Sequence, residues 1–181
     1  MEYNLISENP QSTVVARYER DTAAAETYQS ESELERAFIR QLVRQGYEYI
    51  EIHSAAELEA NLRRQIERLN NVSFTDAEWL RFFRQEIAAE GKGVVEKART
   101  IQVDHRKSFT FDNGTEANIL LIDKDDIHHN ITQVINQYEA PNGARPNRYD
   151  VTVLVNGLPL VHIELKRRGV SIKEAFNQID R

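Results

Sequence analysis

Hydrophobic residues recur at helical spacing near the start of the chain, after a lead-in over residues 1–29 that shows no sustained period. The pattern predicts a first helix that begins near Ser30 and ends at Gly46, where a glycine is suited to a left-handed C-terminal cap. Two capping boxes are open at its start, Ser30 with Glu33 or Ser32 with Glu35. Acids in a first helical turn are common, since the helix dipole favours them.

Two further segments, 55–70 and 77–89, repeat apolar residues every three or four positions and therefore predict two more helices. A glycine-containing stop at 91–93 follows them. We interpret 55–90 as a helical insertion between the first helix and a sheet that occupies 99–181.

The period changes to that of strands in the second half of the chain. β-Branched and aromatic residues dominate five segments, 100–111, 117–123, 131–138, 148–155 and 159–166. The continuous apolar run 119–122 is typical of a strand that is buried on both faces. Ser171 is suited to cap a last helix that still continues at Arg181. These elements predict an α/β fold with a mixed sheet flanked by helices.

The turn at Asn156-Gly157 decides which side chains share a face of the last two strands. A two-residue loop would pair Asp150 with Ile163, whereas a three-residue loop with Gly157 in the left-handed conformation pairs Asp150 with Glu164. A β-bulge near the turn would give the second register as well. That register is favoured, because it makes one face entirely apolar, with Val151, Val153, Val155, Val161, Ile163 and Leu165. The opposite face then carries Asp150, His162, Glu164 and Lys166.

Two carboxylates beside an ammonium point to metal-dependent phosphodiester hydrolysis. The pair Asp150 and Glu164 would be costly without a cation, and Mg²⁺ prefers one or two carboxylates with water and phosphate oxygens. The carbonyl of Leu165 is a further possible ligand, and Lys166 can orient water or neutralise developing charge. The non-catalytic alternative is an exposed strand whose Glu164 and Lys166 form a weak surface ion pair.

Composition narrows the class of protein. The chain has 181 residues, a net charge of −6, a pI near 5.5 and no cysteine, which excludes disulfides and cysteine-based zinc sites. Its acidity argues against a protein that coats DNA through bulk charge, but Arg148, Arg167 and Arg168 form a local basic rim suited to phosphates. The N-terminus lacks the pattern of a secretory signal, and no apolar run is long enough to span a membrane, so we expect a cytoplasmic location.

With these residues in hand, the chain resembles the N-terminal region of the restriction (R) subunit of type I restriction enzymes. The similarity covers essentially the whole chain and includes runs such as Asn147-Arg148-Tyr149-Asp150-Val151-Thr152. Its densest parts are 28–36, 45–47, 147–152, 155–161, 163–169 and 174–179.

That family belongs to the PD-(D/E)xK nuclease superfamily, which implies a restriction-endonuclease-like fold. The resemblance makes Asp150 the first acid, Glu164 the second and Lys166 the lysine, although Tyr149 stands where the superfamily name has proline. Gln178 matches the start of the family's Gln-x-x-x-Tyr motif, whose tyrosine would fall one residue past Arg181. A first-helix glutamate often joins such sites, and we prefer Glu35 to Glu31 for this role.

The resemblance also implies a larger setting. The R subunit of this family carries an ATP-driven DNA translocase, which we expect to lie outside this chain, and works with methylation and specificity subunits. The complete enzyme uses ATP, Mg²⁺ and S-adenosylmethionine and cuts double-stranded DNA far from its recognition site. The core fold normally has another strand after the last helix, so we expect this fragment to be incomplete and doubtful in activity on its own.

Two other functions remain open from the sequence. The first is a non-catalytic module of the same fold that docks subunits or positions DNA. The predicted helices over 55–89 and the acidic surface motivate this alternative. A metal hydrolase that uses His128, His129 and His162 is more remote, because adjacent residues on a strand face opposite ways.

Overall fold

A computed structural model describes most of the chain and divides it into two compact units, 1–30 and 31–181. The described residues are 7–9, 12–14, 30–89, 94–140 and 147–166. In the first unit, strand β1 (Ser7–Asn9) pairs antiparallel with strand β2 (Ser12–Val14). Within the described ranges, no helix has the length and apolar character that crossing a membrane requires.

The first three helices of the second unit follow the predicted order, and a fourth was not predicted. They are α1 (Glu31–Arg44), α2 (Ala55–Asn70), α3 (Asp76–Phe82), which continues as a π-helix (Phe83–Ile87), and α4 (Val94–Gln102). Helix α1 is confirmed, and Gly46 ends its last turn with φ +96°. The Ser32–Glu35 capping box is wrong, because the helix begins one residue before Ser32.

The two helices that the spacing predicts over 55–70 and 77–89 form, although the second ends differently. Helix α2 has the expected bounds, and the Ser54 hydroxyl accepts a hydrogen bond from the Glu57 N–H at 3.2 Å. Helix α3 begins with a complete capping box between Thr75 and Glu78. Its predicted continuation to residue 89 ends instead in the π-helical turn, which closes at Ile87.

Helix α4 was missed, since the sequence predicts a strand over 100–111. The β-branched residues of the segment resemble a strand pattern, but Ile101 packs against the core of the insertion from a helix. The strand itself begins only at Arg106. Tertiary packing therefore overrides a local preference here.

The remaining strands form two separate sheets in the second unit. They are β3 (Glu48–Tyr49), β4 (Arg106–Thr110), β5 (Glu116–Leu120), β6 (Thr132–Ala140), β7 (Asn147–Val155) and β8 (Leu158–Ile163). The larger sheet has the order β3-β6-β7-β8, with β3 parallel to β6 and the other neighbours antiparallel. This confirms a mixed sheet flanked by helices.

The apolar run 119–122 is not a central strand as its composition suggests. Strand β5 pairs with β4 in a two-stranded sheet and ends at Leu120. Ile119 and Leu121 are nevertheless fully buried, because they pack with the aromatic rings of Phe74, Trp79, Phe82 and Phe109. This cluster is the core of the insertion and of the small sheet.

Helices cover the larger sheet on both faces at its centre. On one face, Ile39 and Leu42 of α1 pack against Val134, Val151 and Val153. On the other face, a second cluster joins Ile52, Ile135, Tyr138 and Leu154, with Leu58 of α2 packed against it. Strand β7 is therefore buried on both sides, which fixes the strand that carries Asp150.

Candidate active site

The connection between β7 and β8 is a two-residue turn. Val155 pairs with Leu158, and Asn156 and Gly157 both have positive φ, +50° and +81°. Such angles match the right-handed twist of a hairpin, and Asn-Gly is the preferred sequence for them. The three-residue loop that would pair Val155 with Pro159 is therefore wrong.

A β-bulge restores the register that the longer loop would have given. Leu154 pairs with Pro159 but Val153 pairs with Val161, so Leu160 is the additional residue. Beyond the bulge, Val151 pairs with Ile163, where β8 ends. Continued by one residue, this register sets Asp150 opposite Glu164. The bulge alternative is therefore confirmed up to Ile163. Pro159 has no N–H to donate to the ladder, and a position beside a bulge is one of the few places in a sheet where proline is tolerated.

The tip of the hairpin is anchored in the core. Asn156 is 1% exposed, and its side chain accepts from the Ile131 N–H at 2.8 Å and donates to the Leu121 carbonyl at 3.1 Å and to Asn130 Oδ1 at 2.7 Å. Gly157 lies against the Leu62 backbone of α2. The turn is thus held at Gly157 by α2 and at Asn156 by the segments around residues 121 and 130–131.

The predicted division of the hairpin into an apolar and a polar face holds only in part. Val151 and Val153 are buried against α1 as expected, whereas Val161 on the neighbouring strand is 48% exposed. On the opposite face, Thr152 and Leu154 are also fully buried. On the face that carries Asp150, the central residues are therefore buried, whereas Asp150 itself is only partly buried.

Asp150 closes onto the segment that follows β8. Its Oδ2 accepts a hydrogen bond from the Leu165 N–H at 2.7 Å, and Asp150 is half-buried. The Leu165 side chain packs with the α1 side of the sheet. The first acid is therefore joined directly to the backbone between the second acid and the lysine.

Glu164 and Lys166 form an ion pair with an Nζ–Oε1 distance of 2.7 Å. The Glu164 side chain is only 4% exposed and that of Lys166 only 17%, so this is not the weak ion pair of an exposed strand that the non-catalytic alternative expects. Burial acts to lower the pKa of Lys166, but the hydrogen bond to Glu164 and the charges of Glu164, Glu31 and Asp150 outweigh it and hold that pKa above its ordinary value.

The first-helix glutamates have different surroundings. Glu31 contributes to the electrostatic field that raises the pKa of Lys166. Glu35 is 7% exposed, and its carboxylate accepts from the side-chain amides of Asn136 at 2.6 Å and Gln137 at 3.3 Å. The family resemblance preferred Glu35 for the site, and Glu31 is the first-helix acid whose charge acts on Lys166.

A second cross-strand pair lies next to the acids. The Thr152 hydroxyl and the His162 Nδ1 are 3.0 Å apart, and burial lowers the pKa of His162. The other histidines are elsewhere: His129 lies in a 3₁₀ turn (Ile127–His129), with its Nδ1 3.0 Å from Asp123. The structure therefore does not bring the histidines of the metal-hydrolase alternative together.

Several predicted site residues fall outside the description. Gln178, Arg167 and Arg168 lie beyond the described residues, and of Arg148 only the backbone position in β7 is described. In the ranges that the structure does describe, no three or more histidine and carboxylate side chains come together as a metal site. A metal here would therefore depend on few protein ligands.

The donor set fits Mg²⁺ on chemical grounds. Asp150 and Glu164 supply hard carboxylate oxygens, and Mg²⁺ keeps several waters and often binds one or two carboxylates plus substrate phosphate. No pattern in the sequence points to Asn136 and Gln137, because their contacts with Glu35 join β6 to α1, which is far away in the chain.

The chain is similar in sequence to endonuclease subunits of type I restriction enzymes. Residues 28–181 match the family described as Type I restriction enzyme R protein N terminus (HSDR_N). The Type I restriction enzyme EcoprrI endonuclease subunit of Escherichia coli is 50% identical over 177 residues, which are 97% of this chain and 56% of that protein. The Type I restriction enzyme SsaAORF53P endonuclease subunit of Staphylococcus saprophyticus is 38% identical over 159 residues, 85% of this chain and 16% of that protein.

The chain spans only part of the length of these relatives, about half of the first and far less of the second. The family match covers most of the chain and includes Asp150, Glu164 and Lys166. Because the family model matches residues 28–181 and the Escherichia coli subunit is 50% identical over 97% of the chain, the chain belongs to the family of type I restriction enzyme R protein N-terminal regions.

Proposed function

We propose that this chain is the Mg²⁺-dependent endonuclease domain of a type I restriction enzyme, and that Asp150, Glu164 and Lys166 cleave double-stranded DNA. The observation that carries the proposal is the bulged hairpin, because it brings Asp150 opposite Glu164 and joins Asp150 to the Leu165 N–H. The finer fold assignment, a PD-(D/E)xK core with a helical insertion over 55–89, is part of the same proposal.

Asp150 and Glu164 would hold the Mg²⁺, with the Leu165 carbonyl as a further candidate. When bound, the ion supplies a Lewis acid that stabilises charge on the phosphate and lowers the pKa of a bound water. Glu164 is buried and its Oε1 is paired with the Lys166 ammonium, which fixes that oxygen in place. The hydrogen bond from the Leu165 N–H orients the Asp150 carboxylate in the same way.

Lys166 is held in the charged form by its surroundings. Its raised pKa keeps the ammonium protonated at neutral pH, where it can neutralise developing charge on the scissile phosphate. Glu31 is the first-helix acid that we assign to the site, because its charge acts on Lys166. Gln178 is assigned with them on the family motif alone.

The substrate and the partner subunits are inferred from the names of the relatives. These are named as endonuclease subunits of type I restriction enzymes, so we expect double-stranded DNA as substrate and methylation and specificity subunits as partners. Motor domains that use ATP would lie in the remainder of the subunit, and S-adenosylmethionine would bind elsewhere in the assembly. Arg148, Arg167 and Arg168 are candidates for contacts with the DNA backbone.

Cleavage of plasmid DNA by the complete restriction complex tests the site. Asp150→Ala, Glu164→Ala and Lys166→Ala, made in the full-length subunit, should each abolish cutting while ATP hydrolysis and assembly continue. Glu116→Ala is the matched control, since it removes an exposed carboxylate from β5. Cutting at the wild-type rate by any of the three folded variants would refute the role of that residue.

Magnesium titration separates this function from a docking module of the same fold. An endonuclease domain should gain thermal stability with Mg²⁺ in the wild type and lose that gain in Asp150→Ala and Glu164→Ala. A melting temperature that ignores Mg²⁺ in all variants would favour the non-catalytic alternative.

A further inference from the structure

Gln137 has a backbone conformation that is unusual for its residue type. Its φ is +53° within strand β6, where non-glycine residues normally have negative φ. The other described non-glycine residues with positive φ are asparagines, which tolerate the left-handed region better than glutamine does. Strained conformations of this kind persist only where the surrounding structure holds them.

The strain turns the Gln137 side chain toward α1. In a regular strand, successive side chains face opposite sides of the sheet. Here Asn136 and Gln137 both donate their amides to Glu35, at 2.6 and 3.3 Å, and Tyr138 joins Ile135 in the cluster on the other face. The alternation of β6 therefore shifts at Gln137.

Glu35 is the acceptor that holds this arrangement. It is buried on α1, and both of its carboxylate oxygens accept from Gln137. Asn136 is fixed in turn, because its Oδ1 accepts a hydrogen bond from the Tyr49 hydroxyl at 2.9 Å. Two amides with fixed partners therefore converge on one buried carboxylate.

The strained residue lies opposite the first acid of the proposed site. Asn136 pairs with Val151 and Tyr138 with Tyr149, so Gln137 of β6 faces Asp150 of β7. The backbone at Gln137 thus borders the strand position from which Asp150 reaches the Leu165 N–H. A change of φ at Gln137 would return its side chain to the Asp150 face.

We propose that Glu35 is a positioning residue that holds Gln137 in the left-handed conformation opposite Asp150 and thereby sets the place of the Asp150 carboxylate. This inference rests on the proposed function of Asp150. It assigns Glu35 a role outside the metal and the lysine, and leaves Glu31 as the first-helix acid of the site.

A double-mutant cycle tests the coupling. Glycine adopts positive φ without steric cost, so Gln137→Gly makes the backbone conformation independent of Glu35. In the complete restriction complex, Glu35→Ala should reduce DNA cleavage at least about tenfold, which corresponds to 1.4 kcal/mol in the barrier. The same change in the Gln137→Gly background should reduce cleavage far less. Gln137→Ala is the matched control, because its Cβ keeps the steric cost and should give no rescue.

Hydrogen exchange supplies a readout besides activity. Peptides that cover residues 132–140 of the full-length subunit should exchange faster in Glu35→Ala and return toward the wild-type rate in Glu35→Ala/Gln137→Gly. Melting temperatures of all variants check that each is folded.

Equal losses of cleavage from Glu35→Ala in both backgrounds would overturn the proposal, since Glu35 would then act in the site directly. An unchanged rate in Glu35→Ala would overturn it as well. Asp150→Ala is assayed beside them: if it cuts like the wild type, the proposed function fails, and exchange at 132–140 then decides separately whether Glu35 controls Gln137.

Discussion

Gly157 lies so close to α2 that a Cβ at position 157 would stand 2.6 Å from the Cα of Leu62 and 3.0 Å from its backbone nitrogen. The turn between β7 and β8 therefore contacts α2 through its backbone. Neither partner can yield by a side-chain rotation, because the near atoms are main-chain atoms.

Gly157→Ala should destabilise the protein more than a turn glycine usually does. The left-handed backbone alone costs about 1–2 kcal/mol for a residue with a Cβ. Overpacking against Leu62 should add about 1–3 kcal/mol. Thermal or urea unfolding of the variant measures the sum.

Gly114→Ala is the matched control for this change. Gly114 has nearly the same φ, +83°, in the turn between β4 and β5, but a Cβ there meets nothing within 4 Å. The difference between the two variants isolates the contact with Leu62. Equal losses of stability would show that the turn does not press on α2.

Much of the candidate site could be predicted from the alternation of β7 and β8. Burial of Val151 and Val153 requires Asp150 to face the other way, and that reasoning selected the register. The means could not be chosen in the same way. A longer loop and a bulge at Leu160 give the same pairing of Asp150, so only the structure decides between them.

Other features depend on contacts between distant parts of the chain. The positive φ of Gln137 follows from Glu35, which is 102 residues away in sequence. Helix α4 was missed for a similar reason, because Ile101 is placed by the core that it joins. The local pattern of apolar and polar residues predicts elements and their faces well. It does not show which distant residue will override a local preference for helix or strand.

Deletion of Leu160 tests whether the bulge only compensates for the short turn. Without this residue, Val161 would follow Pro159 and pair with Val153 in a regular ladder, and Asp150 would still face Glu164. The shortened subunit should therefore retain most of its DNA cleavage.

Insertion of an alanine after Leu160 is the opposite change. It should either enlarge the bulge or move the acids to opposite faces, and cleavage should fall to background in the second case. The plasmid assay compares both variants with the wild type. A deletion that abolishes cutting in a folded subunit would show that the bulge has a role beyond register.

Glu78 should make the insertion sensitive to acid. Its carboxylate accepts from the backbone N–H groups of Asp112 at 2.8 Å and Thr75 at 2.7 Å, and these hydrogen bonds, the one from Asp112 first, lower its pKa. A carboxyl whose pKa is lowered by folding stabilises the protein above its unfolded pKa, and this contribution is lost as pH falls through the folded pKa.

Glu78→Gln should therefore unfold more easily than the wild type at pH 7, with a difference that shrinks toward pH 3. Glutamine has one acceptor oxygen and cannot serve both N–H groups. Unfolding curves across this pH range measure the difference. Glu96→Gln, an exposed change in the first turn of α4, is the control and should follow the wild type. A difference that stays constant with pH would contradict the assignment.

Lys166→Met should separate metal binding from catalysis. The change leaves the 4% exposed Glu164 carboxylate without the ammonium at 2.7 Å, and loss of one partner from a buried ion pair costs about 3–5 kcal/mol. Mg²⁺ no longer competes with Lys166 for Glu164, so it should raise the melting temperature of the variant more than that of the wild type. DNA cleavage should nevertheless be lost, because the charge near the phosphate is gone. Lys124→Met, which removes an exposed lysine, controls for charge and should change neither measurement. A variant that gains no extra stability from Mg²⁺ would show that Glu164 does not hold the metal, and one that still cuts would show that the ammonium is dispensable.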